Sequence, residues 1–127
     1  MNRPFTLDHL DHIVLRVRSL QRSLDFYRML GAGGQCEVAA GTVMQIAATP
    51  NHSLIFQEQP EYQPAEIGSI DHINLTIQAS SISDVAAYLR ENGAEITRGP
   101  EEGRAGPTVY VRDPDGYVLE IRLARDR

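Results

Sequence analysis

The sequence predicts an α+β protein in which one module, a strand followed by a helix and further strands, occurs twice. Residues 10–15 (LDHIVL) return as residues 70–75 (IDHINL), an offset of 60 residues. In each copy a stretch with helical spacing of apolar residues comes next, and short runs of β-forming residues follow it. A repeat that carries its secondary structure with it indicates a duplicated unit. We place the modules at residues 8–58 and 70–123 of one domain, residues 1–127.

The two predicted helices cover residues 20–30 and 82–89 and have matching ends. A serine hydroxyl can accept from the free N–H groups of a first turn, and a glycine readily takes the left-handed conformation that often ends a helix. The sequence offers both at each helix: Ser19 and Gly31 for the first, Ser81 and Gly93 for the second.

Short β-type runs follow each helix, at residues 42–47, 53–57, 94–97, 108–112 and 117–123. The last two are joined by Asp113-Pro114-Asp115-Gly116, whose residue order favours a type I turn and therefore a β-hairpin. Residues 59–69 contain Pro and Gly and predict a linker between the modules. We expect Cys36 to be a small buried residue.

Composition excludes several classes of protein. Twelve Lys and Arg against seventeen Asp and Glu give a net charge of −5, without a basic run of the kind that binds nucleic acid. A single cysteine cannot form an internal disulfide or a cysteine-cluster metal site. No apolar stretch reaches the roughly 18 residues of a membrane span. We therefore expect a cytoplasmic protein that binds neither nucleic acid nor membrane.

Strand alternation places three side chains that can bind a metal ion on the strand face opposite the apolar one. Neighbouring residues of a strand point to opposite faces, so if helices cover the apolar face, His12, His72 and Glu120 share the uncovered one. Two imidazoles and one carboxylate are the donor set of an open divalent-metal site. Each of the three alone is an ordinary strand residue, but the repeat makes the histidines equivalent and favours a joint ligand set.

The same residues resemble the vicinal oxygen chelate superfamily, which includes glyoxalase I, extradiol dioxygenases, fosfomycin-resistance transferases and bleomycin-resistance proteins. The resemblance spans residues 10–123, and within the superfamily the chain is most similar to small glyoxalase-domain proteins. It rests on the repeated strand, on residues 23–27 (SLDFY) ahead of Leu30-Gly31, and above all on residues 113–120 (DPDGYVLE).

This resemblance implies two βαβββ modules that form a cupped mixed sheet with the helices on its outer face. It implies a divalent ion, Ni, Zn, Mn or Fe, held by His12, His72 and Glu120. The implied activity is that of a metal-dependent enzyme, a lyase or isomerase of glyoxalase type, that chelates vicinal oxygens of a small-molecule substrate. It also implies a homodimer. Glu120 and Gln57 are the candidate catalytic residues.

Glyoxalase-type members have a fourth metal ligand, and the sequence does not decide which residue would take this place. Its expected position falls on or beside Phe56, which cannot bind a metal. Gln57 is the candidate if Leu54 and Phe56 face the helices, and Glu58 is the candidate if the strand is turned the other way. Three ligands alone equally describe a ring-cleaving Fe(II) dioxygenase. A metal-free drug-binding protein of the bleomycin-resistance kind is the alternative from another class.

Further polar residues are candidates for lining a substrate site. Arg16, Asn74 and Tyr110 alternate onto the same type of face as the proposed ligands, and Arg104 lies in a Gly-rich loop that could cover a substrate. His9 and His52 lie outside the repeated positions, so we expect both to be exposed.

Overall fold

Each half of the chain contains a strand, a helix and three further strands, in that order. A computed structural model describes residues 2–38, 41–46, 52–64, 68 and 70–124. The first half comprises β1 (His12–Val17), α1 (Leu20–Met29), β2 (Gly33–Val38), β3 (Gly41–Gln45) and β4 (Ser53–Glu58). The second comprises β5 (Ile73–Ile77), α2 (Ile82–Glu91), β6 (Glu95–Gly103), β7 (Gly106–Arg112) and β8 (Val118–Leu123). The predicted pair of βαβββ modules is confirmed.

The two halves are compact units, residues 1–62 and 63–127, and each has its own four-stranded mixed sheet. The strand order is β1-β4-β3-β2 in the first sheet and β5-β8-β7-β6 in the second. In each sheet the first and last strands of the module lie side by side and parallel, while the other pairs are antiparallel. The parallel pairing places Asn74 opposite Glu120, although 46 residues separate them.

The face of each sheet that carries the apolar set is buried, as alternation predicts. In the first unit Leu15 and Val17 of β1 are buried, and the ring of Tyr27 from α1 lies 5.2 Å from that of Phe56 on β4. The corresponding buried residues of the second unit include Ala86 and Leu89 of α2 with Val109, Val111, Leu119 and Ile121. Burying these side chains is the main stabilising term of each module.

The predicted helix ends are confirmed in both modules. The hydroxyls of Ser19 and Ser81 each accept a backbone N–H three residues on, at 3.3 Å. Gly31 and Gly93 follow the last turns with φ of 104° and 81°. In each case the N–H groups of the glycine and of the residue after it donate to carbonyls of the final turn, which satisfies acceptors that the helix leaves unpaired.

The hairpin turn before β8 is also as predicted. The N–H of Gly116 donates to the carbonyl of Asp113 at 3.0 Å. The Asp113 carboxylate accepts from the N–H groups of Asp115 and Tyr117, at 2.8 and 3.0 Å. This turn fixes where β8 starts, and with it the face on which Glu120 lies.

Two strands differ from expectation. β2 was not predicted, because its sequence (GGQCEV) has two glycines and no clear apolar alternation. Cys36 lies on β2 and is exposed, so the expectation of a buried cysteine is wrong. β6 runs to Gly103 rather than ending at Thr97, with irregular pairing near Gly99-Pro100. Ala47, residues 65–67 and Ser69, which belong to a predicted strand and to the linker, lie outside the described residues.

A matched pair of phenylalanines tests the packing. Phe56→Ala should lower the free energy of unfolding by about 3–5 kcal/mol, because Phe56 is 1% exposed and its removal leaves a cavity against Tyr27. Phe5→Ala is the control, since Phe5 is 60% exposed, and should cost under about 0.5 kcal/mol. Urea unfolding measures both. Equal losses in the two variants would contradict the assigned core.

Candidate metal centre

His12 is the first residue of β1 and is held by the residue before it. Its Nδ1 lies 2.8 Å from the Asp11 carboxylate. The hydrogen bond from His12 is the largest cause of a lowered pKa at Asp11, so this carboxyl is an anion at neutral pH. When Nδ1–H donates to the carboxylate, Nε2 of the neutral imidazole keeps a lone pair for a ligand.

His72 has the same arrangement in the second unit. Its Nδ1 lies 2.7 Å from the Asp71 carboxylate, immediately before β5 begins. The duplicated Asp-His sequence therefore produces the same local geometry twice. A carboxylate on the far nitrogen of a histidine is the common support of a metal-binding imidazole, because it fixes both the tautomer and the ring orientation.

Glu120 reaches the same surface from β8. Its side chain is 13% exposed, and His72 Nε2 lies 3.4 Å from Oε1. Asn74 Nδ2 donates to Oε1 at 3.0 Å, and the buried Thr108 hydroxyl donates to Oε2 at 3.0 Å. The second unit thus brings together one imidazole and one carboxylate, each oriented by its own partners.

The ionised form of Glu120 is favoured. Burial alone would raise the pKa of Glu120. Hydrogen bonds from Asn74, Thr108 and Tyr110, with the imidazole nearby, outweigh the burial, so its pKa lies below the ordinary value of 4.5. The site therefore presents a carboxylate rather than a carboxylic acid.

Tyr110 lies on β7 directly opposite Glu120 and contacts both candidate ligands. Its ring is edge-on to that of His72, with the centroids 5.5 Å apart. Burial, then the Glu120 charge, raises the pKa of Tyr110, so its phenol stays protonated. The guanidinium carbon of Arg98 lies over the Tyr110 ring, 5.3 Å from its centroid.

The orientation of β4 places the two candidates for a fourth ligand, Gln57 and Glu58, on opposite faces of the sheet. Leu54 and Phe56 are buried on the helix side of the sheet. Gln57 therefore lies on the same face as His12, which is the first of the two alternatives that the sequence left open. Glu58 is on the other face, and its carboxylate accepts the Leu20 N–H at 2.7 Å at the start of α1. The position equivalent to Glu120 is Ile55, which lies beside Phe56 and opposite Val14. The first module therefore has an apolar residue where the second has its carboxylate.

The other predicted lining residues have different surroundings. Asn74 Nδ2 donates to Glu120, and Asn74 Oδ1 accepts from the Thr76 hydroxyl at 2.8 Å. Arg16 lies four residues beyond His12 on the exposed face of β1, and Arg104 is exposed between β6 and β7. His9 and His52 are exposed, as expected.

Within the described part of the chain, no group of three His, Cys, Asp or Glu side chains is close enough together to hold a metal ion. The His72–Glu120 pair is shown, and the contribution of His12 stays a prediction of the repeat. The sequence did not identify Thr108 as a site residue, although alternation places it on the same face as Glu120. It also missed Arg98, for which the sequence gives no signal. In the described residues, no helix is both long and apolar enough to cross a membrane.

The sequence pattern of the Glyoxalase/Bleomycin resistance protein/Dioxygenase superfamily matches residues 9–121. The chain belongs to this superfamily. This confirms the resemblance to vicinal oxygen chelate proteins, on which the predicted fold also rested.

Two curated relatives within the superfamily are enzymes by name. The chain is 30% identical to the lactoylglutathione lyase of Escherichia coli O157:H7 over 91% of its own length and 92% of the relative's. It is 26% identical to the metallothiol transferase FosB of Shouchella clausii, over 88% and 77%. Among solved structures, a glyoxalase/dioxygenase from Nostoc punctiforme matches with a TM-score of 0.80 and 25% identity, over 99% of this chain and 97% of that one.

Thr108→Val tests what keeps Glu120 ionised. The substitution removes one donor to the carboxylate, so the pKa of Glu120 should rise toward 4.5, as measured by carboxyl NMR titration. Because the folded pKa is lowered, ionised Glu120 stabilises the fold above pH 4.5, and this contribution is lost as pH falls through the folded pKa. The variant should therefore show a smaller loss of stability in acid.

Thr42→Val is the control for this titration. Thr42 is also buried, but its hydroxyl donates to Glu37 in the first unit. It should leave the pKa of Glu120 unchanged. A Glu120 pKa that is the same in Thr108→Val as in the wild type would contradict the role given to the Thr108 hydroxyl.

Proposed function

We propose that the protein is a metal-dependent enzyme whose divalent ion is bound by His12, His72 and Glu120 and receives two adjacent oxygens of a small substrate. The observation that carries this proposal is the gap between His72 Nε2 and Glu120 Oε1, 3.4 Å. Since Nδ1 donates to Asp71, Nε2 of the neutral ring is an acceptor that faces an anionic acceptor. Only a proton or a cation between the two makes that arrangement favourable.

The donor set fits a divalent ion. Imidazole nitrogen and carboxylate oxygen suit Zn, Ni, Mn and Fe, and three protein ligands leave positions open for substrate oxygens. A bound ion would act as a Lewis acid that polarises these oxygens and stabilises negative charge developing on them. The apolar Ile55 in the equivalent fourth position supports three protein ligands rather than four.

The surrounding residues then have defined tasks. Asp11 and Asp71 orient the imidazoles through Nδ1, and Asn74 and Thr108 hold the two Glu120 oxygens. Tyr110 lies opposite Glu120 on β7 and packs edge-on against the His72 ring, which limits the orientations open to that imidazole. Such support holds ligands within a narrow range of geometry before substrate arrives.

A lyase or isomerase of glyoxalase type is the first candidate reaction, supported by the lactoylglutathione lyase that the chain matches over most of both lengths. In that reaction a residue must move a proton on the substrate, and we assign this task to the Glu120 carboxylate. Its lowered pKa makes it a weak base, and Gln57 cannot take a proton.

A ring-cleaving Fe(II) dioxygenase is the second candidate. It is favoured by the asymmetry of the modules, because Ile55 in place of a second carboxylate leaves two histidines and one glutamate. That set is the ligand group of many non-haem Fe(II) oxygenases. The two candidates differ in their substrates, so methylglyoxal with a thiol and catechol under oxygen separate them.

The first test is metal content and stabilisation. Protein purified without chelator should contain a divalent ion, and saturation of the stripped protein at about 100 times Kd should add about 2.7 kcal/mol of stability, or roughly 10 °C in Tm. His72→Ala should lose both effects, and His52→Ala is the matched control for an exposed histidine. An unchanged Tm with each of Zn, Ni, Mn and Fe would overturn the proposal and favour a metal-free binding protein.

A second test concerns the number of ligands. Gln57→Ala should keep the metal affinity of the wild type within about threefold, because Gln57 lies two residues beyond the ligand-equivalent position, Ile55. Glu120→Gln should weaken metal binding by a factor of 100 or more, on the order of a lost charged ligand. Isothermal titration with Zn²⁺ measures both. A large loss in Gln57→Ala would mean that its amide oxygen is the fourth ligand.

A further inference from the structure

We infer that Arg122 forms a subsite for a negatively charged group of the substrate, so that the substrate carries an oxyanion such as a carboxylate beside its chelating oxygens. This inference rests on the proposed function, because it locates the anion relative to the His72–Glu120 pair. It depends on a row of hydrogen bonds along β5 and β8 that leads from Glu120 to Arg122.

Arg122 is on the same face of β8 as Glu120, two residues further along. Two residues of strand span roughly 6.6 Å. Thr76 is its direct neighbour on β5, and Arg122 Nη2 donates to the Thr76 hydroxyl at 3.3 Å. The guanidinium is therefore held over the face that carries the candidate ligands.

The row continues in one direction to Glu120. The Thr76 hydroxyl donates to Asn74 Oδ1 at 2.8 Å, and Asn74 Nδ2 donates to Glu120 Oε1 at 3.0 Å. Each group accepts from the Arg122 side and donates toward the Glu120 side. Two neutral side chains thus separate a cation from an anion that share one face.

The charge of Arg122 is not balanced by a neighbouring carboxylate in the described residues, where its hydrogen-bond partner is the neutral Thr76. Arg98, another cation near the pair, differs in this respect. Its Nε lies 2.5 Å from a Glu101 carboxylate oxygen while it covers Tyr110. Arg122 therefore keeps bonding capacity for an incoming oxyanion, since a guanidinium has five N–H donors and the hydrogen bond to Thr76 uses one of them.

The spacing sets the size of the substrate. Glu120 and Arg122 are two strand residues apart, which corresponds to about 6–7 Å along β8. A chain of two or three carbons between the chelating group and the anion covers that distance. The predicted class is a short aliphatic compound with two vicinal oxygens at one end and an oxyanion at the other.

A pair of matched chelators tests the subsite. Succinic monohydroxamic acid has a hydroxamate that can bind a metal through two oxygens and a carboxylate two carbons away; the corresponding monoamide replaces only that carboxylate by a neutral group. With the Zn²⁺-loaded protein, isothermal titration should show the acid binding about tenfold or more tighter than the amide, which is the size of one charge-assisted hydrogen bond.

Variants assign the preference to Arg122. Arg122→Gln should bind the acid and the amide equally, with the amide affinity of the wild type. Arg122→Lys should keep part of the preference, because it keeps the charge but not the planar fork. Arg112→Gln is the matched control from the same hairpin, since Arg112 bonds the Gly116 carbonyl and lies near Glu95, and should keep the full preference.

The outcomes separate this inference from the proposed function. If the amide binds the loaded protein and the acid binds no better, the subsite is overturned while the metal centre stands. If the preference persists in Arg122→Gln, another group recognises the anion and the assignment to Arg122 is wrong. If Zn²⁺ binds but neither compound does, the subsite is overturned while the metal centre stands. If none of Zn, Ni, Mn and Fe binds, both proposals are overturned.

Discussion

A nearly enclosed carboxylate must be surrounded by donors, and the second module is organised around this requirement at Glu120. Removing a charge from water is costly unless hydrogen bonds replace the water. Here Asn74 of β5 and Thr108 of β7 supply these bonds to a residue of β8. The three strands must keep their relative register for both donors to reach, so the same contacts that stabilise the anion also fix the position of His72 beside it.

The repeat is followed closely in the backbone and broken in the side chains. Both modules cap their helices with serine, end them before a left-handed glycine and place an Asp-His pair at the first strand. At the position of Glu120, however, the first module has the buried Ile55. A carboxylate there would need its own set of donors, whereas the residue facing Ile55 across β3 is Val43. Duplication therefore conserved the scaffold, and the polar network was built on one copy.

Much of the fold could be predicted from local pattern, because caps, turns and alternation are properties of short segments. The helix ends at Gly31 and Gly93, the Asp113–Gly116 turn and the buried face of β8 are all of this kind. β2 and the exposed Cys36 could not be predicted, since an edge strand with two glycines has little alternation of its own. The candidate site divides in the same way. Alternation placed His72 and Glu120 on one face, but it cannot give the pairing of strands distant in sequence.

That pairing decides the chemistry of the Glu120 surface. Arg122 and Glu120 have opposite charges and lie two residues apart on one face, so a direct ion pair between them would be geometrically natural. Such a pair would use the carboxylate that a metal needs and the guanidinium that an anion needs. Register instead places Thr76 opposite Arg122 and Asn74 opposite Glu120, and their side chains stand between the two charges. Because both intervening groups are neutral, each charge keeps bonding capacity for a partner of its own. A cation at Glu120 and an oxyanion at Arg122 are the partners that we propose for these two charges, and a substrate that bridges them would satisfy both together.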